Sequence, residues 1–139
     1  MRKIGLLLVC LLVGLSGCSR PAPSNEADVE AIRVLMKGIW EKPESRLDIT
    51  PISIEGDYAV AGWTQGEHGG RALLRKSDQA WKVVLCSGDA LRDADFLQGA
   101  GLSAEAARSM VALVVEDESE IPKERVEQFD RFRGVVRMQ

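Results

Sequence analysis

The sequence predicts an α+β fold with an N-terminal helix, a four-stranded antiparallel meander, and C-terminal helices packed on the sheet. Three observations support this class. Apolar residues recur at steps of three and four over residues 29–40, at steps of two over residues 47–86, and again at helical steps after residue 88. The first and last patterns are typical of amphipathic helices, and the middle pattern of half-buried strands. Such an order of elements indicates one sheet with helices packed against it.

The first predicted helix carries a broad apolar stripe along one face. Asn25 and Asp28 have the residue types and the spacing of a helix N-cap. Lys42-Pro43 should end the helix, because proline disfavours helical geometry in the residue before it. The stripe consists of Val29, Ile32, Leu35, Met36, Ile39 and Trp40. We expect this stripe to face the core.

Four strands with short connections follow the helix. In the first strand the apolar residues change parity at Pro51, which predicts a bulge or an edge position there. The apolar residues are Leu47 and Ile49 before the proline, and Ile52 and Ile54 after it. The other strands are predicted over residues 58–64, 70–76 and 81–86. Because short turns join sequential strands in antiparallel fashion, the sheet should be a meander.

Helical spacing returns towards the C-terminus. Asp89 should cap a helix that runs to Leu97, and Ser103 should begin a longer helix that buries Met110. A last helix is expected from Ile121-Pro122, because proline is tolerated in the first turn. Residues 134–138 should form a short extended tail. The predicted single α+β domain covers residues 26–139, a length that can bury a core without disulfides.

The first seventeen residues have the layout of an export signal. Arg2 and Lys3 precede an apolar run of about a dozen residues, which is shorter than the roughly 20 that span a bilayer. The run ends in Leu15-Ser16-Gly17-Cys18, which resembles the lipobox of bacterial lipoproteins. By that resemblance residues 1–17 are a lipoprotein signal peptide and Cys18 is the lipidation site. An ordinary secretory signal that is cut nearby is the alternative.

The resemblance to lipoproteins also predicts a location. Acyl chains on Cys18 would hold the protein to a membrane without a spanning helix. Residues 18–25 then form a tether, which the prolines keep extended. Ser19 after the cysteine resembles the sorting pattern of outer-membrane lipoproteins. We therefore expect a lipid-anchored protein of the cell envelope that faces the periplasm.

Charge and cysteine content exclude two classes of protein. Loss of Arg2 and Lys3 with the signal peptide lowers Lys+Arg from 18 to 16 against 21 Asp+Glu, so the net charge falls from −3 to −5. A basic nucleic-acid footprint is therefore absent, and we expect no nucleic-acid partner. Cys10 leaves with the signal and Cys18 is acylated, so Cys86 is the single remaining thiol. No internal disulfide is then expected.

The glycine-rich stretch "QGEHGG" around His68 joins the second and third predicted strands. His68 is the only histidine of the chain and should lie at an exposed hairpin tip. It could be a plain turn residue, or it could contact a metal together with Glu67. Phosphate-binding glycine loops precede a helix, whereas this one precedes a strand. One histidine and one glutamate are too few for a tight zinc site.

Cys86 and Met138 supply the soft donors of the chain. Cys86 precedes the predicted Asp89 helix, where the backbone potential can lower a thiol pKa. It is either a buried structural thiol or a ligand for a soft metal. Thiolate, thioether and imidazole form the set that selects Cu(I). Cys86, His68 and Met138 are therefore the candidate metal ligands, although Cys86 and His68 are expected at opposite ends of neighbouring strands.

No residue pattern predicts catalysis, and we expect that the protein is not an enzyme. The motifs of a P-loop, a serine triad or a zinc protease are absent. Asp89, Asp93 and Asp95 and the acidic run over residues 116–120 should be solvated or cap helices. None of them has the apolar framing that would raise a carboxyl pKa for acid–base work.

Three blocks of the sequence resemble a known family. They are Gly62-Trp63-Thr64-Gln65-Gly66, the run "GGRALLR" over residues 69–75, and the run "VLCSGDAL" over residues 84–91, with "RFRGVVRM" near the end. The chain thereby resembles the small exported bacterial proteins called copper uptake system-associated proteins. The resemblance implies a role in copper import or handling outside the cytoplasm. It implies no ligand set, and the lipobox makes a freely diffusing copper carrier doubtful.

Two functional hypotheses follow from the sequence. In the first, a membrane-anchored accessory protein assists copper uptake, either by holding Cu(I) through Cys86 with His68 or Met138, or by docking on a copper transporter or another envelope protein. In the second, a non-catalytic envelope lipoprotein acts as a protein-interaction module without metal. Retention of copper by the pure protein would distinguish the two.

Overall fold

A five-stranded antiparallel sheet with helices on both faces forms the domain. The structure is a computed structural model and describes residues 24–139, so the signal peptide, Cys18 and residues 18–23 of the tether lie outside the described residues. The elements are α1 (Ser24–Trp40), β1 (Asp48–Glu55), β2 (Tyr58–Gln65), β3 (His68–Ser77), β4 (Ala80–Ser87), α2 (Ala94–Gly99), α3 (Ala104–Ser119), α4 (Lys123–Asp130) and β5 (Val135–Arg137). The α+β class predicted from the sequence is confirmed.

The sheet is a meander with one more strand than predicted. Its strands lie in the order β1-β2-β3-β4-β5, and every neighbouring pair is antiparallel. The predicted extended tail is in fact β5, which pairs with the last three residues of β4. Three residues carry too little alternation to mark a strand, so the pattern could not show this pairing.

Helix α1 covers one face of the sheet. Ile32 and Met36 of its stripe are fully buried against alternate residues of the strands. The cluster contains Ile32, Met36, Leu47, Ile49, Ala59, Ala61, Ala72, Leu74, Trp81 and Cys86. The predicted core face of α1 is therefore confirmed, except that Ile39 near its end is 53% exposed.

Helices α2 and α3 cover the opposite face. Met110 of α3 is fully buried, as expected. The second cluster contains Val60, Leu73, Leu85, Leu91, Leu97, Leu102, Ala107, Met110 and Val114. Because successive side chains of a strand point to opposite faces, β3 places Ala72 and Leu74 in the first cluster and Leu73 in the second.

The parity change at Pro51 is a bulge in an edge strand, as predicted. The register of β1 against β2 shifts between Ile49 and Ile52. The shift keeps Ile49, Ile52 and Ile54 on the same apolar cluster despite their odd spacing.

The N-cap predicted at Asn25 with Asp28 is wrong. The helix begins at Ser24, so both residues lie within it. Asp28 Oδ1 accepts hydrogen bonds from Lys76 Nζ at 2.8 Å and from Trp81 Nε1 at 2.9 Å. These bonds lower the pKa of the Asp28 carboxyl, and the bond from Lys76 has the largest effect. Asp28 therefore fastens α1 to β3 and β4.

The prediction that a helix begins at Asp89 and runs to Leu97 is also wrong about the first residue. Asp89–Arg92 is a short 3-10 turn whose preceding residue gives no side-chain cap. Asp93 interrupts it and caps α2 by accepting from the Phe96 N–H at 2.8 Å. Ser103 caps α3 as predicted, accepting from the Ala106 N–H at 3.1 Å. No helix within residues 24–139 is long and apolar enough to cross a membrane.

A buried ion cluster ties β3 to the helices of the second face. Arg71 is 0% exposed, and its guanidinium binds Glu118 through two bonds, Nε–Oε1 at 2.6 Å and Nη2–Oε2 at 2.8 Å. Its Nη1 binds Asp130 Oδ1 at 2.8 Å. Burial opposes the charge of Arg71, but these bonds outweigh it and raise the pKa of the guanidinium. The prediction that the acidic run is solvated therefore fails at Glu118.

Candidate functional site

The stretch around His68 is a hairpin turn whose glycines have separate roles. Gly66 occupies the turn with φ of +61°, a conformation that glycine adopts without strain. His68 is already the first residue of β3 and is exposed. Gly69 and Gly70 lie in the strand, where a Cβ on Gly70 would come 2.8 Å from Phe132 Cδ2. Gly69 therefore makes room for Gln128 of α4, and Gly70 for Phe132 in the chain that follows α4.

Two glutamines hold this hairpin from opposite sides. Gln65 Nε2 donates to the carbonyl oxygens of Trp40 at 2.9 Å and Ser45 at 3.0 Å. Gln128 Nε2 donates to the carbonyl oxygens of Gly66 at 2.9 Å and His68 at 2.8 Å. These bonds therefore join the hairpin end to both α1 and α4.

A cavity of about 200 Å³ lies between the hairpin, the end of α1 and β5. Its lining is almost wholly apolar and aromatic, with one amide, one thiol and one thioether. The lining residues are Trp40, Leu47, Trp63, Gln65, Cys86, Phe132, Val136 and Met138. The rings of Trp63 and Phe132 meet edge to face, with centroids 6.0 Å apart. Apolar walls with a few polar groups are typical of small-ligand sites.

Cys86 presents a buried, protonated thiol to this cavity. The residue is 5% exposed, and burial raises the pKa of its thiol to about 11. The expectation that a helix start lowers this pKa is therefore wrong. Asp89 begins only a short 3-10 turn, and the apolar surroundings disfavour the thiolate.

Strand β5 brings Met138 to the same cavity. Val136 lies opposite Cys86 in the β4–β5 ladder, and the Met138 N–H donates to the Val84 carbonyl at 2.9 Å. Ser87 Oγ holds the start of this segment by donating to the Gly134 carbonyl at 2.8 Å. The fold thus places Cys86 and Met138, two of the three candidate ligands, around one space.

His68 lies elsewhere, although it is at the same end of the sheet as Cys86. The expectation of opposite ends is wrong. Because β3 and β4 are antiparallel, the end of β4 lies beside the beginning of β3. Cys86 pairs with Ala72, four residues from His68, which is about 13 Å along a strand. His68 instead lines an open depression with Glu67, Arg131 and Arg133. Trp63 and Phe132 separate this depression from the cavity, since they line both.

The cavity offers soft donors and no acid–base pair. Neither a carboxylate nor His68 is among the residues that line it. Among residues 24–139, no group of three or more His, Cys, Asp or Glu side chains could hold a metal ion. A thiol and a thioether together suit a soft monovalent ion at low coordination number, whereas a zinc site would need more donors.

Comparisons with protein-family models, with curated proteins and with solved structures found no match for this chain. The chemistry of the site therefore rests on its own residues.

Sequence reasoning missed the aromatic walls of the cavity. Trp63 and Gln65 are two residues apart on β2, so strand parity could have placed them on one face. Phe132 could not be found in this way, because its position depends on how α4 packs at Gly69 and Gly70. The Arg71 cluster was missed as well, since nothing local distinguishes Glu118 from its solvated neighbours.

Proposed function

We propose that this protein is a membrane-anchored, extracytoplasmic accessory protein of copper uptake or handling, and that it takes Cu(I) into the cavity at Cys86 and Met138. The observation that carries the proposal is the presence of a thiol and a thioether in one apolar cavity. The resemblance of its sequence blocks to copper uptake system-associated proteins supports the same function. His68 is not part of the proposed site.

The polarity of the cavity favours a monovalent ion. When Cu(I) replaces the thiol proton of Cys86, the thiolate and the ion have no net charge together. A divalent ion at the same thiolate would leave one uncompensated positive charge in an apolar space, which is strongly disfavoured. The lining residues include no carboxylate that could neutralise it. The site should therefore reject Zn²⁺ by charge as well as by donor number.

The N-terminal sequence supports the proposed location. Acylation of Cys18 would place α1, which begins six residues later, close to the membrane surface. A transporter in the same membrane would then be within reach. Metabolic labelling with a radioactive fatty acid tests this point: wild type should be labelled and Cys18→Ser should not. An unlabelled wild-type protein would contradict the anchor.

The first prediction concerns retention of Cu(I). Purified protein should bind close to one equivalent of Cu(I) in competition with a chromophoric chelator, and Cys86→Ser should abolish that binding. Met138→Leu should weaken it, because leucine keeps the apolar volume but removes the thioether. His68→Asn is the matched control and should bind as wild type does.

Two outcomes would contradict this assignment. Equal loss of copper from wild type and from Cys86→Ser would show that the thiol is not a ligand. A larger effect of His68→Asn than of Met138→Leu would move the site to the exposed depression. Zn²⁺ in the same titration should not compete, and circular dichroism should show that all variants are folded.

The second prediction concerns pH. The Cys86 thiol, with its pKa near 11, is protonated throughout the neutral range, so each Cu(I) bound displaces one proton. The apparent affinity should therefore rise by about tenfold per pH unit between about pH 6 and pH 8, and should fall as the solution becomes acidic. Chelator competition at several pH values measures this slope. A flat profile would mean that the thiol keeps its proton or that copper binds elsewhere.

A further inference from the structure

The outer edge of β4 is paired over only half of its length. Strand β5 pairs with Leu85, Cys86 and Ser87, and the Met138 N–H bonds to the Val84 carbonyl. Within residues 24–139, Ala80 to Val83 have a strand partner on the β3 side only. A strand with one open side presents unpaired backbone groups on which another strand can build.

An apolar groove runs beside this open edge on the α1 face. Leu35 and Ile39 of α1 form one side, Trp81 and Val83 line the strand, and Met138 and Gln139 close the end. Val84, Arg75, Ser77 and Lys82 also line the groove, along the open edge. Ile39 is 53% exposed although it continues the core stripe of α1. Met138 lines both this groove and the Cys86 cavity. The groove is therefore continuous with the candidate site.

Two of these lining residues are cations, and strand alternation directs them away from the α1 face. Arg75 and Lys82 are directly opposite each other in the β3–β4 ladder, and both are exposed. The Arg75 guanidinium stacks 5.6 Å from the Tyr58 ring, which packs on the second core cluster. Among the described residues, neither cation forms an ion pair with a carboxylate. The edge is thus apolar on one face and positively charged on the other.

We propose that the open edge of β4 binds an extended, acidic segment of a partner protein, which adds to the sheet as a strand beside Ala80–Val83. Side chains of an added strand alternate between the two faces. Those on the α1 face meet Ile39 and Val83 and are apolar, and those on the other face meet Arg75 and Lys82 and are acidic. A second copy of this chain would bring the same cations to the same edge, where they would repel. The docked segment would cover Met138, which links this proposal to the proposed copper site. Binding of the segment itself does not require copper.

A synthetic heptapeptide that alternates glutamate with valine is the probe. Titrated into purified protein without copper, it should shift the backbone amide resonances of residues 80–84 and slow the hydrogen exchange of these amides. A heptapeptide that alternates lysine with valine has the same strand propensity and the opposite charge. It should bind at least about tenfold more weakly at low ionic strength, where like charges repel over about 10 Å or more.

Three variants locate the binding surface. Ile39→Asp should weaken binding of the glutamate–valine peptide by at least about tenfold, since a charge replaces the apolar contact on the edge. Val34→Asp is the matched control: Val34 is 63% exposed on the same helix and does not line the groove, so this variant should bind as wild type does. Lys82→Glu should remove the preference for the glutamate–valine peptide, because the new carboxylate lies directly opposite Arg75 and neutralises it.

The proposal fails if both peptides bind equally to wild type, because the cations would then have no part in recognition. It fails equally if Val34→Asp loses as much affinity as Ile39→Asp, or if the shifted amides lie outside β4. Concentration-dependent dimerisation of the free protein through residues 80–84 would assign the edge to a second copy and would also overturn it. Loss of copper binding in Cys86→Ser leaves all these outcomes unchanged, which separates this test from that of the proposed function.

Discussion

Replacement of Arg71 by methionine should destabilise the protein by about 3–5 kcal/mol, because removal of one member of a buried ion pair leaves the other charge poorly compensated. Glu118 would keep only the longer contact to Arg92, with Nε and Oε2 3.8 Å apart. Arg71 is fully buried and holds Glu118 through two short hydrogen bonds. The Glu118 side chain is itself only 5% exposed and cannot turn to water without moving α3. Urea unfolding followed by tryptophan fluorescence measures the loss.

The matched control is Arg75→Met, four positions along the same strand. Arg75 is exposed, and methionine there should change stability by no more than about 0.5 kcal/mol. The double variant Arg71→Met/Glu118→Met should recover much of the loss, since two apolar side chains can replace a buried pair at little cost. Asp130 keeps access to water, with its side chain 40% exposed. A single variant as stable as wild type would show that the cluster adds nothing to folding.

The fold could be predicted from periodicity wherever elements are long and amphipathic. The stripe of α1 and the bulge at Pro51 were each visible as apolar spacing, and the structure places both as expected. The error at Asp89 has a local cause. Two aspartates, Asp89 and Asp93, compete for the same capping role, and the sequence does not show which backbone N–H each one reaches.

The candidate site could be predicted only in part, because it depends on contacts between distant residues. Residue chemistry singled out Cys86 and Met138, but β5 was needed to bring them together. His68 was equally conspicuous in the sequence, yet the register of β3 and β4 keeps it away from the thiol. The candidate donors could therefore be identified from the sequence, because their residue types are rare in this chain. Which of them line one cavity depends on strand pairing.

Close packing explains the glycines at positions 69, 70 and 88, and the sequence does not show this packing. A Cβ on Gly69 would meet Gln128 on one face of β3, and a Cβ on Gly70 would meet Phe132 on the other. A Cβ on Gly88 would come 2.6 Å from the Phe132 carbonyl oxygen. Since β4 ends opposite Arg71, α4 and the chain after it pass beside Gly69 and Gly70, where β4 no longer covers them. These glycines let that chain cross towards β5 and complete the cavity.

Gly62→Ala should therefore destabilise the protein by about 1–3 kcal/mol, the usual cost of forcing an extra methyl group into a packed core. The new Cβ would lie 2.6 Å from Cε2 and 2.7 Å from Cζ of Phe129. That ring is fully buried and has the guanidinium groups of Arg71 and Arg125 each 5.4 Å from its centroid, so it cannot move aside without disturbing both. Chemical unfolding of the variant measures the effect.

Gly38→Ala is a control in which the same substitution should increase the stability of the protein. Gly38 lies within α1, and a Cβ there would meet no heavy atom within 4 Å, so alanine should stabilise the helix by about 0.5–1 kcal/mol. Phe129→Leu in the Gly62→Ala background should recover part of the lost stability, because the smaller side chain leaves space for the methyl group. If Gly62→Ala and Gly38→Ala were equally stable, close packing of α4 on β2 would not be what requires glycine at position 62. Because the same helix leads the chain to β5, Gly62→Ala should also weaken Cu(I) binding, although Gly62 does not line the cavity.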